Sequence, residues 1–413
     1  MRYHSLGRIP AKRHVQFRDP DAASADGTTP LLVEEVMGFE GFSGNESILY
    51  HLWSPCRVKD VGEFEPIELE EWVPETHVHR LTDTRGLEPM GDSVLGRRVL
   101  QYNGDVEVGI CVPEREGDYF FRDGEGDEVL FVHEGSGVVE TVFGTLAYRP
   151  HDYVVIPRGT TYRFRFDMPQ RWLTFYTAGE IETPNRYRNR YGQLLEHAPY
   201  SQRDFHPPAE LVTHRDRGEF DVKVRVRGGY QDYVLDYHPL DVVGWDGYVY
   251  PYTFNIHDFE PKAGRLHQPP PAHQTFQGQN FVICSFCPRL LDWDPEAVPL
   301  PYHHSNVQSE ELMYYVDGDY AARKGVEVGC ITLHPSGLPH GPQPGTVEQA
   351  LGMERTSELA VMCDTFRPLK LTTLARDLDD PHYAYSWYEP EPHHASAPPP
   401  LPGSFDLPQS SRS

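Results

Sequence analysis

The chain has 413 residues, enough for two domains of ordinary size or one large two-lobed unit. Hydrophobic residues make up 38% and aromatic residues 12%, which excludes a chain disordered throughout. A formal net charge of -25 excludes the basic footprint that nucleic acid or an anionic membrane requires, so neither is expected as a partner.

The opening stretch MRYHSLGRIPAKRH is basic but has no apolar core, so no secretory leader is expected. No apolar run approaches the roughly 18 residues of a membrane span. Six cysteines are sparse for this length, and the expectation is a cytoplasmic protein with reduced thiols. Residues 1–95 read as an irregular N-terminal region packed on the rest. From residue 96 onward, runs rich in Val, Ile, Tyr, Phe and Thr appear: RVLQYN, VEVGICVP, EVLFVHEG, VVETVFG, YVVIP and TYRFRF. Thirty-five glycines and 38 prolines punctuate such runs along the chain. This pitch predicts short strands of a sandwich or barrel, and residues 96–180 are assigned to a first β unit.

Residues 181–250 read as a polar connecting segment, with a short helix predicted between Thr183 and Leu195. A second β unit is assigned to residues 251–388, with FVICSF, LMYYVDG, VGCITLHP and LAVMCDTF as strands. A second short helix is predicted over Leu371 to Leu378. Cys284 and Cys287 form a CxxC in the first of those runs; with no further ligand pair at zinc spacing, they read as buried strand cysteines. Residues 389–413 are rich in Pro and Ser and read as a mobile tail.

One pattern occurs in both units. In the second, His304 is followed by Asn306, Glu311 and Gly318; then Gly329 precedes Pro335, Gly337 and His340. Residues i and i+2 of a strand share a face, so His304 and Asn306 look the same way. The turn at Pro335 and Gly337 aims His340 back at them. Glu310 and Glu311 point to opposite faces, so one of them is the ligand, and the spacing to Gly318 favours Glu311. Two imidazoles and a carboxylate leave about three coordination positions open, the facial triad of non-haem iron(II) oxygenases. In the first unit Glu128, Gly135, Pro157 and Gly159 keep the frame. Phe121, Asp123 and Tyr162 stand where histidines belong, so this copy is expected to be free of metal. The repeated frame resembles the two cupin motifs. It predicts an all-β bicupin whose N-terminal barrel lacks the ligands, with Fe(2+) at His304, Glu311 and His340.

Several segments resemble the homogentisate 1,2-dioxygenase family: Phe121 to Gly159, YHHSNVQSEELMYYVDGDY from Tyr302 to Tyr320, and LPHGPQP from Leu338 to Pro344. The resemblance covers roughly residues 96–367. It implies iron ligands at His304, Glu311 and His340, a supporting histidine at His334, and substrate contacts from Tyr320, His334 and His340. It implies His257, in FNIHDFEP, as the base that takes the phenol proton. Arg323 is a further candidate for holding a carboxylate. The implied reaction is ring opening of homogentisate by O2 to maleylacetoacetate, as in tyrosine and phenylalanine catabolism. Trimers or hexamers are implied as the assembly. The chain has one residue more between His304 and Glu311 than the best-known members. RLHQPPPAHQTFQG has no close counterpart there, leaving His267 and His273 as unassigned polar groups. Gentisate or another hydroxylated ring therefore stays open as substrate. So do a different metal-dependent cupin reaction and a non-catalytic metal-binding bicupin.

Overall fold

The strand Asp127–Glu134 (DEVLFVHE) is buried along all but its last residue. Val129 and Phe131 point to one side, Leu130 and Val132 to the other. A strand covered on both faces reads as a continuous apolar run, and this one is such a run. One side fills the interior of the first barrel with Val139, Phe164 and Trp172. The other packs against Phe276, Ile283, Tyr314 and Val361 of the second unit. The strand Glu310–Asp317 repeats the arrangement: Leu312, Tyr314 and Val316 enter the shared core, while Glu311, Met313 and Tyr315 face into the second barrel.

The structure is a computed structural model describing residues 2–22, 29–226 and 228–388. The stretch 389–413, read as a mobile tail, lies outside the described residues. The first unit is built on a nine-stranded sheet in which Asp127–Glu134 lies between Asp152–Ile156 and Arg171–Thr177, all antiparallel. A seven-stranded sheet faces it and continues into the long hairpin Arg217–Val226 and Gly229–Tyr237. The second unit has a six-stranded sheet with Phe281–Phe286, Leu359–Thr365, Glu310–Asp317 and Cys330–His334 as successive neighbours. Opposite it, His304–Ser305 pairs with Pro339–His340 in a short ladder. The fold is a bicupin, almost entirely β.

The N-terminal region consists of long loops carrying six short strands among its described residues. Two of these strands buckle the two units together. Arg80–Asp83 pairs with Cys330–His334, and Glu71–Trp72 reaches the nine-stranded sheet through Lys370–Thr372. Tyr252–Asn255 still pairs with Asp152–Ile156, so the chain crosses to the second unit after Asn255. The predicted helices are a 3-10 turn, Asn185–Tyr187, and one α-helical turn, Thr373–Asp377, capped by the Thr372 hydroxyl. Cys284 and Cys287 are buried free thiols. Among the described residues no helix is long and apolar enough to cross a membrane.

In the first barrel an arginine occupies the place that a metal would take. Arg97 donates through Nη1 to the Glu128 carboxylate and to Tyr176 Oη (2.7 Å), and through Nη2 to Tyr162 Oη (3.0 Å). Tyr162 in turn donates to Glu128 Oε2 at 2.8 Å. Glu128 and Tyr162 hold the repeat positions of Glu311 and His340. Phe121 packs edge-on against Tyr162, with ring centroids 5.6 Å apart. The turns match as well: Gly159 and Gly337 both have φ of 81°, a conformation that glycine adopts without steric cost.

Candidate active site

His304 and His340 face each other as direct partners across the short ladder, and Glu311 reaches them from the six-stranded sheet. The close approach depends on Gly341, where a Cβ would lie 2.8 Å from His303 Cα. Glu311 Oε2 is 3.7 Å from His304 Nε2 and 3.5 Å from His340 Nε2. Each imidazole has its Nδ1 3.3 Å from a carbonyl, Tyr302 O for His304 and Leu338 O for His340. A carbonyl only accepts, so both Nδ1 atoms carry hydrogen, which leaves Nε2, the nitrogen that each ring turns toward Glu311, as the atom able to ligate a metal. His340 Nε2 is buried without a hydrogen-bond partner. An orphaned acceptor beside a second imidazole and a carboxylate is the donor set of a divalent cation. One ligand atom from each of the three lies within 4.8 Å of the others. The residues fit a metal, and the strand alternation selects Glu311. Glu310 faces away and accepts the Leu369 N–H at 2.7 Å.

Behind the three lies a further layer. His334 is fully buried, with Nδ1 2.8 Å from Glu311 Oε1 and Nε2 3.2 Å from the Tyr383 hydroxyl. Burial drives His334 down to about 3, so the ring is neutral. Burial alone would raise Glu311, but the surrounding imidazoles outweigh it and hold the carboxyl well below its usual range. Asp364, the cross-strand neighbour of Glu311, has an unpartnered buried Oδ1. Burial and the Glu311 charge push it up to about 8. His79 packs edge-on against His334 and His340, with centroids at 5.4 and 5.9 Å.

In front of the site a pocket opens to solvent. His304 and Glu311 line it, together with the apolar side chains of Phe286, Leu291, Leu300, Met313 and Met362. Tyr320 lines it, with its hydroxyl donating to Leu359 O at 2.7 Å. Arg323 lines it too; its Nη1 donates to Gly341 O at 2.7 Å, while its Nε is buried and unpartnered. Arg289 is bound to Glu358 at 2.7 Å. His267 and His273 both belong to this lining. His267 Nε2 is buried without a partner, and its Nδ1 is 3.9 Å from Asp292 Oδ2. Burial lowers its pKa, with Asp292 acting against the shift. His273 stacks on Phe286 at 4.3 Å, and burial drives it down to about 3.

The structure thus brings together His304, Glu311, His340, Tyr320 and Arg323, with His334 behind Glu311 rather than in the pocket wall. It does not bring in His257. That side chain is exposed on a 3-10 turn, and its Nε2 is 2.8 Å from His151 Nδ1. Asp364, Asp292, His79 and Tyr383 were not singled out from the sequence. Only Asp364 left a trace there, as the one charged residue within the apolar strand LAVMCDTF.

Comparison with known proteins places the chain in a family. The profile described as "Homogentisate 1,2-dioxygenase N-terminal" matches residues 106–256, and its C-terminal companion matches residues 266–393. A protein named "Putative dioxygenase SSO1533" from Saccharolobus solfataricus is 40% identical over 94% of this chain and 99% of its own length. The chain belongs to the homogentisate 1,2-dioxygenase family. By that membership it is a ring-cleaving dioxygenase. The homogentisate 1,2-dioxygenase of Sinorhizobium fredii is 25% identical across 78% of this chain and 77% of its own. Among solved structures, a cupin 2 conserved barrel domain protein from Leptotrichia buccalis overlaps 71% of this chain and 99% of its own, at 10% identity and a TM-score of 0.32.

Proposed function

We propose that this family member opens a hydroxylated aromatic acid with O2, homogentisate before gentisate, using iron(II) held by His304, Glu311 and His340. The observation that carries the reading is the pocket itself. Two of the three ligands line it, and its walls supply what a phenolic acid needs. Iron(II) bound there would give the ring and O2 one shared coordination sphere.

The chain's own groups divide the remaining work. A phenol has a reference pKa near 10, so a base must take its proton. We assign that base to His267, because it lines the pocket with a free, buried Nε2 while His257 lies outside. Lowered by burial, His267 is neutral and able to accept. Arg323, which lines the pocket with one guanidinium nitrogen, Nε, left without a partner, is assigned to the substrate carboxylate. Tyr320 has spent its own proton on Leu359 O, so its oxygen is left to accept from a ring hydroxyl. The Phe286, Met313 and Met362 walls hold the ring and exclude water.

The test is oxygen uptake by protein purified without oxygen and loaded with ferrous iron, first with homogentisate and then with gentisate. Stoichiometric uptake with homogentisate supports the full reading. Uptake with gentisate alone changes the substrate and keeps the mechanism. A chain that binds no metal sinks the proposal.

A further inference from the structure

The C-terminal segment ends its described course directly behind the metal ligands. The Arg80 guanidinium holds Asp379 at 2.6 Å, Trp387 Nε1–H donates to Gly341 O at 3.2 Å, and Gln343 Nε2–H donates to the Ser386 hydroxyl at 2.7 Å. These clasps hold Tyr383, itself 4% exposed, beside His334, with the ring centroids 6.4 Å apart and the two planes inclined by 19°.

We propose that Tyr383 is a positioning residue for the metal centre, acting through His334 on Glu311. The inference rests on the reading of His304, Glu311 and His340 as metal ligands. Its direction follows from what each atom can do. Glu311 is a carboxylate and only accepts, so the hydrogen in the 2.8 Å contact belongs to His334 Nδ1. A neutral imidazole has one N–H, so His334 Nε2 is an acceptor, and the Tyr383 O–H donates to it across 3.2 Å. The tyrosine hydroxyl therefore fixes the tautomer of His334. That tautomer ties down Glu311 Oε1 and turns Oε2 alone toward His304 and His340. Without the hydroxyl, Nε2 becomes a buried acceptor with nothing to accept, and the other tautomer, which offers Glu311 a lone pair, gains ground. Groups that orient a metal ligand in this way typically govern affinity by 10- to 100-fold, the "about tenfold" lower end being expected for a neutral link one residue removed.

The experiment is titration of metal-free full-length protein with Co(II), followed by its visible absorption bands, for wild type, Tyr383→Phe, His334→Gln and the double variant. Tyr383→Phe is expected to weaken Co(II) binding about tenfold with the thermal midpoint of the metal-free protein nearly unchanged. In the double variant the two losses do not add, because the tyrosine acts only through the histidine. Ser386→Ala loosens the same segment without touching His334 and is expected to leave affinity unchanged. An unaltered affinity in Tyr383→Phe, additive losses in the double variant, or an equal loss in Ser386→Ala would each overturn the inference while leaving the metal site standing. A wild-type chain that takes up no Co(II), or full binding in His304→Ala, would overturn the metal reading and this inference together.

Discussion

His304 and His340 are direct partners across an antiparallel ladder, with ring centroids 4.3 Å apart, and Glu311 enters from a separate sheet. Three proposed ligands drawn from three strands come together only in the folded chain. Losing any one ligand should therefore empty the site without unfolding the barrel that carries it. His340→Ala is expected to reduce metal content from stoichiometric to trace, with the circular dichroism spectrum preserved. Retained stoichiometric metal in that variant would exclude His340 as a ligand.

The assignment of the base separates two histidines. His267→Ala is expected to lower kcat/KM by about 10² to 10⁴, the usual contribution of a general base, with metal content intact. His257→Ala should stay within about twofold of wild type, because the His257 side chain is exposed and its hydrogen bond goes to His151, outside the pocket. Steady-state kinetics on the two variants decide the matter, and the reverse ranking would return the role to His257.

Arg97 and Glu128 form a pair with side chains 3% and 1% exposed. Removing one partner strands the other charge in the barrel interior. Arg97→Met is expected to cost about 3–5 kcal/mol in urea unfolding, and Arg97→Met with Glu128→Leu to recover most of it. Metal content should be the same in both, since the pair lies in the other barrel. A single variant as stable as wild type would show that the pair does not hold this barrel together.

His51 sets a dependence on alkaline pH. Burial opposes its charge, but Asp241 at 2.7 Å and Glu35 at 2.9 Å outweigh burial and raise it to about 9. Unfolded, it titrates at 6.5. The folded chain therefore holds a proton that the unfolded chain releases between those values. Its contribution is complete below 6.5 and is lost as pH rises through about 9, with a slope of up to about 1.4 kcal/mol per pH unit. Urea midpoints should fall across that window in wild type and fall less steeply in His51→Gln. Equal slopes would show that His51 is not the group responsible.

The meeting of His304, Glu311 and His340 was legible in the sequence because strand alternation and turn residues fix which side chains meet over a short span. His304, Glu311 and the turn at Gly337 are such local facts. That Glu311 and not Glu310 shares the face of the two histidines required knowing what covers the strand. Tyr383 and His79 left no trace, since nothing near either residue in sequence marks its arrival behind His334. The same holds for Arg80–Asp83, an N-terminal strand completing the sheet of a barrel that begins well over a hundred residues later. His257 and His267 lie on neighbouring loops of similar composition, and only packing decides which one reaches the pocket.

A guanidinium that is part of the chain cannot be diluted, chelated or oxidised away. By keeping Arg97 among the positions that match the proposed metal ligands of its sister barrel, the N-terminal half fills its interior without calling on a metal. Starved of metal, such a molecule would persist as a shaped but idle vessel, ready to be filled, instead of a chain that must be made again.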